Sequence, residues 1–113
     1  MENFKLKNDQ YRRKRGGQAV FLDICCTNCG SLLLVYQKDG TGQLHRCYLN
    51  RIFYPPALES LQHNKQIRIP NDFKPLRCEG CKQLIASPML HHEGRLALRL
   101  IPGTYAKRKH IKT

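Results

Sequence analysis

Short apolar runs spaced for strands rather than helices make up most of this chain, and they predict a mainly β domain. The cleanest alternation is Gly94 to Ile101, with Leu96, Leu98 and Leu100 on one face and Arg95, Ala97 and Arg99 on the other. One face is expected inside and the other as a basic strip. Ala19 to Ile24 is a β-prone run, and Ser31 to Lys38 and Gln43 to Leu49 are two more, joined by Asp39-Gly40-Thr41-Gly42. Asp-Gly between two such runs predicts a hairpin, with Leu44, Arg46 and Tyr48 on one side of its second strand and His45, Cys47 and Leu49 on the other.

Pro55-Pro56 breaks that pattern and can start a short helix carrying Leu58 and Leu61 three residues apart. Gln66 to Pro70 returns to strand spacing with Ile67 and Ile69 inward, and Gln83 to Ala86 is a further short strand stopped by Ser87-Pro88. Residues 1–17 show no apolar period and end in Gly16-Gly17, so they are expected to be a flexible basic arm. Pro102-Gly103 ends the last strand and leaves residues 104–113 as a basic tail. The expected organisation is therefore an N-terminal arm over 1–17, a β domain over 18–103 and a tail over 104–113, with at most one short helix.

Composition adds charge to this picture. The net charge is +12, and residues 1–17 and 104–113 each hold +4 of it. Basic arms of that kind concentrate the phosphate contacts that release counterions from nucleic acid. Arg12, Arg13, Lys14 and Arg15 in the first arm and Lys107, Arg108 and Lys109 in the second are the candidate contacts. Between them Arg46, Tyr48 and Arg51 lie near Phe53 and Tyr54, and Arg95 and Arg99 share a strand face. Rings stack on unpaired bases while arginines meet phosphates, so this set suits RNA ahead of DNA.

The six cysteines supply the most specific chemistry. Cys26-Thr-Asn-Cys29 and Cys78-Glu-Gly-Cys81 are two C-x-x-C pairs separated by 48 residues, which together offer four thiolates to one tetrahedral ion. Sulfur donors in that number select zinc first and iron second. A closed four-thiolate set has no open position for substrate, so the expected role is structural and no enzyme activity is assigned. The N-terminus is polar and basic without an apolar leader, and no run approaches the ~18 apolar residues of a membrane span. The expected setting is the reducing cytoplasm, where paired cysteines read as metal ligands, with no membrane partner. Cys25 and Cys47 fall outside the pairs and are expected to be small buried side chains.

The first knuckle, Cys26-Thr-Asn-Cys29-Gly30, resembles that of the zinc ribbon, the rubredoxin-like family in which two cysteine knuckles sit at the ends of β-hairpins. The second, Cys78-Glu-Gly-Cys81-Lys82, departs from it by holding glycine inside the pair rather than after it. The resemblance covers the knuckles and adjoining strands, and the long interval between pairs implies a hairpin elaboration. Such ribbons occur in ribosomal proteins, transcription factors and polymerase subunits, so the resemblance implies a binding or assembly role without naming one. The function expected is a non-catalytic, zinc-binding protein that binds RNA in a ribonucleoprotein. The alternatives are a protein-interaction module presenting Phe53-Tyr54-Pro55-Pro56 to a larger complex, and an HNH-like nuclease built on His45 and His63-Asn64. No carboxylate precedes His45 to support the nuclease.

Overall fold

The computed structural model describes residues 4–111. In chain order the strands are β1 Ala19–Cys26, β2 Leu32–Asp39, β3 Arg46–Tyr48, β4 Ile52–Tyr54, β5 Leu76–Arg77, β6 Leu84–Leu90, β7 Leu96–Leu100 and β8 Tyr105–Lys109. They form two four-stranded antiparallel sheets, ordered β4-β2-β1-β8 and β3-β7-β6-β5. The fold is mainly β, as the apolar spacing predicts.

Ile24, Leu34 and Tyr36 of the first sheet share one core with Cys47, Ile85, Leu98 and Leu100 of the second. The Tyr36 hydroxyl accepts the Tyr48 amide at 3.0 Å, a direct bond between the sheets. Leu33 to Gln37 are all buried, so β2 is covered on both faces rather than one. On the second face the N-terminal segment covers Gln37.

That segment departs from the expected flexible arm. The backbone of Lys7 exchanges hydrogen bonds with the Gln37 side-chain amide at 2.7 and 2.9 Å, and Lys7 Nζ donates to the Asn50 carbonyl at 2.7 Å. Phe4 sits edge-on or tilted against Phe21 and Phe53, with ring centroids 6.0 and 5.9 Å apart. Helix α1, Gln10–Lys14, follows Asp9, whose carboxylate caps it by accepting the Tyr11 and Arg12 amides. One phenylalanine and one capping aspartate anchor the segment without any apolar period.

The C-terminal tail is likewise a strand. β8 pairs with β1 from Leu22↔Lys109 to Cys26↔Tyr105 and becomes the edge of the first sheet. Pro102-Gly103 turns the chain into that strand instead of releasing it.

The expected 31–49 hairpin is also replaced. Gly40 does turn, at φ +77°, with its amide on the Gln18 carbonyl, but the chain then crosses to the other sheet. There Arg46, Cys47 and Tyr48 pair with Arg99, Leu98 and Ala97 of β7. Gln66 to Pro70 forms no strand, because the Asp72 carboxylate accepts the Arg68 and Ile69 amides and holds a turn, leaving Ile69 exposed. β6 runs through Ser87-Pro88, which is tolerated because β5 pairs with it no further than Ala86. The helix foreseen after Pro55 is α2, Pro56–Glu59, continued by a 3-10 turn, with Leu58 and Leu61 against the core.

Candidate metal centre and basic cleft

Each cysteine pair occupies the turn of a hairpin, one between β1 and β2 and the other between β5 and β6. The turns have the same wiring. Gly30 donates to the Cys26 carbonyl at 2.8 Å while Cys26 donates to the Ser31 carbonyl at 2.8 Å; Lys82 donates to the Cys78 carbonyl at 2.8 Å and Cys78 to the Gln83 carbonyl at 2.9 Å. The residue after the second cysteine is left-handed in both, at φ +81° for Gly30 and +68° for Lys82. The second knuckle thus keeps its shape without glycine there. Its own glycine, Gly80, serves close approach instead, since a Cβ on it would lie 3.0 Å from Ser31 Oγ and 3.4 Å from Cys29 Sγ.

The four thiols meet as their spacing predicts. All four Sγ atoms lie within 4.8 Å of one another, with Cys26–Cys81 at 3.7 Å and Cys29–Cys78 at 3.4 Å. A metal–sulfur bond near ~2.3 Å sets tetrahedral edges of ~3.8 Å, so the cluster can hold one ion with little movement. The Ser31 hydroxyl, 3.1 Å from Cys29 Sγ, and the Ser31 amide together bring the Cys29 thiol down to about 6. The Asn28 side chain, followed by the Gln83 amide, lowers that of Cys81. Donors aimed at sulfur favour the thiolates that a metal requires. Thr27 ties this centre to the C-terminal turn, with its Oγ1 donating to the Gly103 carbonyl at 2.7 Å.

Cys25 and Cys47 are buried and lie outside the cluster, and burial raises the Cys47 thiol far above its ordinary range.

The basic residues divide into two groups. Arg51, Arg95 and Tyr48 are buried, which corrects their expected exposure on an open face, although Arg95 and Tyr48 still line the wall of a cleft. Arg51 is fully buried, bound by Asp9 through both carboxylate oxygens and by Asp39 at 2.8 Å from Nε. A buried guanidinium needs such counter-ions, and two carboxylates supply them. The Arg95 guanidinium lies 3.7 Å from the ring centroids of both Tyr11 and Tyr48 and donates to Asn50 at 2.8 Å. Alternation alone places it outward with Arg99, but it lies one residue before β7 and the stacked rings enclose it. Phe53 also packs inward on Phe21, which reduces the expected Phe53-Tyr54-Pro55-Pro56 patch to an exposed Tyr54 and Pro56 with Pro55 half-buried between them.

The others reach water. Arg13, Lys14, Arg15, Arg99, Lys107, Arg108 and Lys109 are exposed, while Arg12 and Arg46 are half-buried. Arg12 Nε is held by the Gly17 carbonyl, and Lys14 pairs with Glu93 at 3.2 Å. Lys38, which the sequence reading passes over, joins this group. It continues the inward series Leu34, Tyr36 on β2, and that series was the available signal. Together with Arg15, His45, Arg46 and Arg95 it lines a cleft of about 50 Å³ between the sheets, and with Lys107 and Lys109 it lines an adjoining open hollow.

No known protein family, curated protein or solved structure matches this chain. No helix among the described residues is long and apolar enough to cross a membrane.

Proposed function

We propose that this chain is a non-catalytic, zinc-clamped β domain that binds nucleic acid, RNA ahead of DNA, within a ribonucleoprotein. Zinc is the metal that four thiolates on paired knuckles select first, with iron the second choice. The clamp joins the β1–β2 and β5–β6 turns, and so holds the two sheets against each other.

One observation carries the binding role. Among the described residues the carboxylates are largely spoken for: Asp9 and Asp39 by Arg51, Asp23 by His110, Glu59 by His63 and Glu93 by Lys14. Arg13, Arg15, Lys38, Arg46, Arg99, Lys107, Arg108 and Lys109 form no ion pair there. A surface so one-sided in charge suits a polyanion whose phosphates release counterions on contact.

The test is fluorescence anisotropy with labelled single-stranded RNA and DNA of the same sequence across a salt series. Affinity is expected to fall by orders of magnitude between about 50 and 200 mM salt, with RNA the tighter ligand. Absence of binding to either, or binding indifferent to salt, would sink the proposal. Capture of a partner protein that survives nuclease treatment would favour the interaction module instead.

A further inference from the structure

We infer that the cleft between the sheets is a phosphate site, formed by Arg15, Lys38 and Arg46 over Arg95, that seats the phosphorylated end of a nucleic acid strand. This inference rests on the nucleic-acid reading for its ligand but on separate geometry for its site.

Four cations from four places converge there: Arg15 just after α1, Lys38 on β2, Arg46 on β3 and Arg95 before β7. Asp39 is the carboxylate at the cleft, and its oxygens are taken by Gln37 and Arg51. Arg46 donates only to the Tyr48 hydroxyl, at 3.4 Å, and Lys38 Nζ only to the Gly40 carbonyl, at 3.2 Å. Arg15 has no side-chain acceptor among the described residues, yet it is held close, because Gly40 approaches its Cβ so tightly that an added methyl would stand 3.1 Å away. Arg95 is buried with its Nε unpartnered.

Gathering like charges in a half-buried place, where the one acid is already engaged by Gln37 and Arg51, is unfavourable until an anion enters. Burial, followed by Lys107 and Arg15, already lowers the Lys38 ammonium from its ordinary value. A phosphate oxygen would accept charge-assisted hydrogen bonds that the protein leaves unmade.

Size narrows the ligand. About 50 Å³ is room for roughly three to five waters, on the scale where one water needs about 10–15 Å³. The inner space is thus phosphate-sized, and a base or sugar would sit at its open side. An internal phosphodiester would have to carry a sugar on each side, whereas a terminal monoester carries one and presents the greater charge. The strand would then leave over the hollow lined by Lys38, Lys107 and Lys109.

The experiment compares one RNA with a 5′-phosphate, a 3′-phosphate and hydroxyl ends, binding to wild-type, K38Q and R99Q full-length protein. One phosphorylated end is expected to bind wild-type protein about tenfold tighter than hydroxyl ends, the scale of a hydrogen bond to a charged group. K38Q should erase that preference, while R99Q should lower overall affinity and retain it. In parallel, inorganic phosphate should shift the backbone amide resonances of Tyr36, Lys38 and Gly40, a measurement that needs no variant to fold. Equal binding of all three ends, or a preference that survives K38Q, overturns the inference while leaving the nucleic-acid reading in place. Amide shifts with inorganic phosphate but no RNA or DNA binding would instead remove that reading and the strand end with it.

Discussion

The Asp9 carboxylate meets Arg51, 42 residues away in sequence, with Oδ2 at 3.0 Å from Nη1 and Oδ1 at 2.5 Å from Nη2. The same Oδ1 caps α1 by accepting the Tyr11 and Arg12 amides. One side chain thereby fastens the N-terminal segment to a fully buried charge in the core.

Asp9→Asn should therefore destabilise the domain more than an ordinary surface change. Losing one partner of a buried pair costs about 3–5 kcal/mol, but Asp39 remains and Asp9 is 37% exposed, so we expect ~1–3 kcal/mol. Hydrogen bonding to Arg51 holds the Asp9 carboxyl down to about 2, against an ordinary 3.8. A group depressed on folding contributes stability above its unfolded value and loses it as pH falls toward the folded one. Urea midpoints should accordingly decline for wild-type protein from about pH 4 to pH 2 and decline less in the variant. Parallel acid profiles for the two proteins would refute the coupling.

What could be read in advance follows from how local each signal is. Cys26, Cys29, Cys78 and Cys81 declare themselves through spacing alone, since a C-x-x-C turn brings its two sulfurs together whatever the rest of the chain does. Leu96, Leu98 and Leu100 likewise mark β7 by alternation. Arg51 carries no such signal: its burial depends on Asp9 and Asp39 arriving from elsewhere. The terminal segments mislead for the same reason, because Phe4 and the β8 backbone find order in pairings across the chain, with Phe21 and Phe53 and with β1. Arg95 misleads through the interior aromatic stack, and Lys38, whose alternation with Leu34 and Tyr36 marks it as inward, shows its company only once the cleft sets it beside Arg15 and Arg46.

Removing the metal should unfold the domain. Structural zinc contributes about 10–16 kcal/mol of apparent free energy in small folds, comparable with the whole ~5–15 kcal/mol stability of an ordinary domain. Excess chelator should abolish the native β signature in circular dichroism, and zinc should restore it. Cys78→Ser should lower bound metal well below one equivalent by native mass spectrometry. Cys47→Ala, altering a buried thiol outside the cluster, should keep one equivalent. A chelated protein that melts cooperatively at its original temperature would show that the thiols are not a clamp.

Lys82→Gly should stabilise the second knuckle. Lys82 stands at φ +68°, where a Cβ costs about 1–2 kcal/mol, while glycine adds unfolded-state freedom worth about 0.4–1 kcal/mol. The net expectation is a gain of ~0.5–1 kcal/mol in urea unfolding at saturating metal. A loss instead would mean that the lysine side chain contributes contacts outweighing its backbone strain.

Gly80→Ala should weaken metal binding through Ser31 rather than by breaking the knuckle. Gly80 needs no left-handed backbone, so the turn accepts alanine, but the new methyl would reach 3.0 Å from Ser31 Oγ. So short a contact is tighter than nine in ten real Cβ contacts, so the hydroxyl must give way by a few tenths of an ångström and loosen its hold on Cys29 Sγ, which it now meets at 3.1 Å. A partner that orients a metal ligand is worth about ten- to hundredfold in affinity, so zinc should bind Gly80→Ala weaker by about that factor. Ser31→Ala loses the same hydrogen bond while opening the space the methyl needs. The double variant should consequently bind zinc little worse than Ser31→Ala alone, a non-additivity readable by competition with a chromophoric chelator. Effects that simply multiply would place the damage at Cys29 or Cys78 directly, which the same methyl approaches at 3.4 and 3.7 Å.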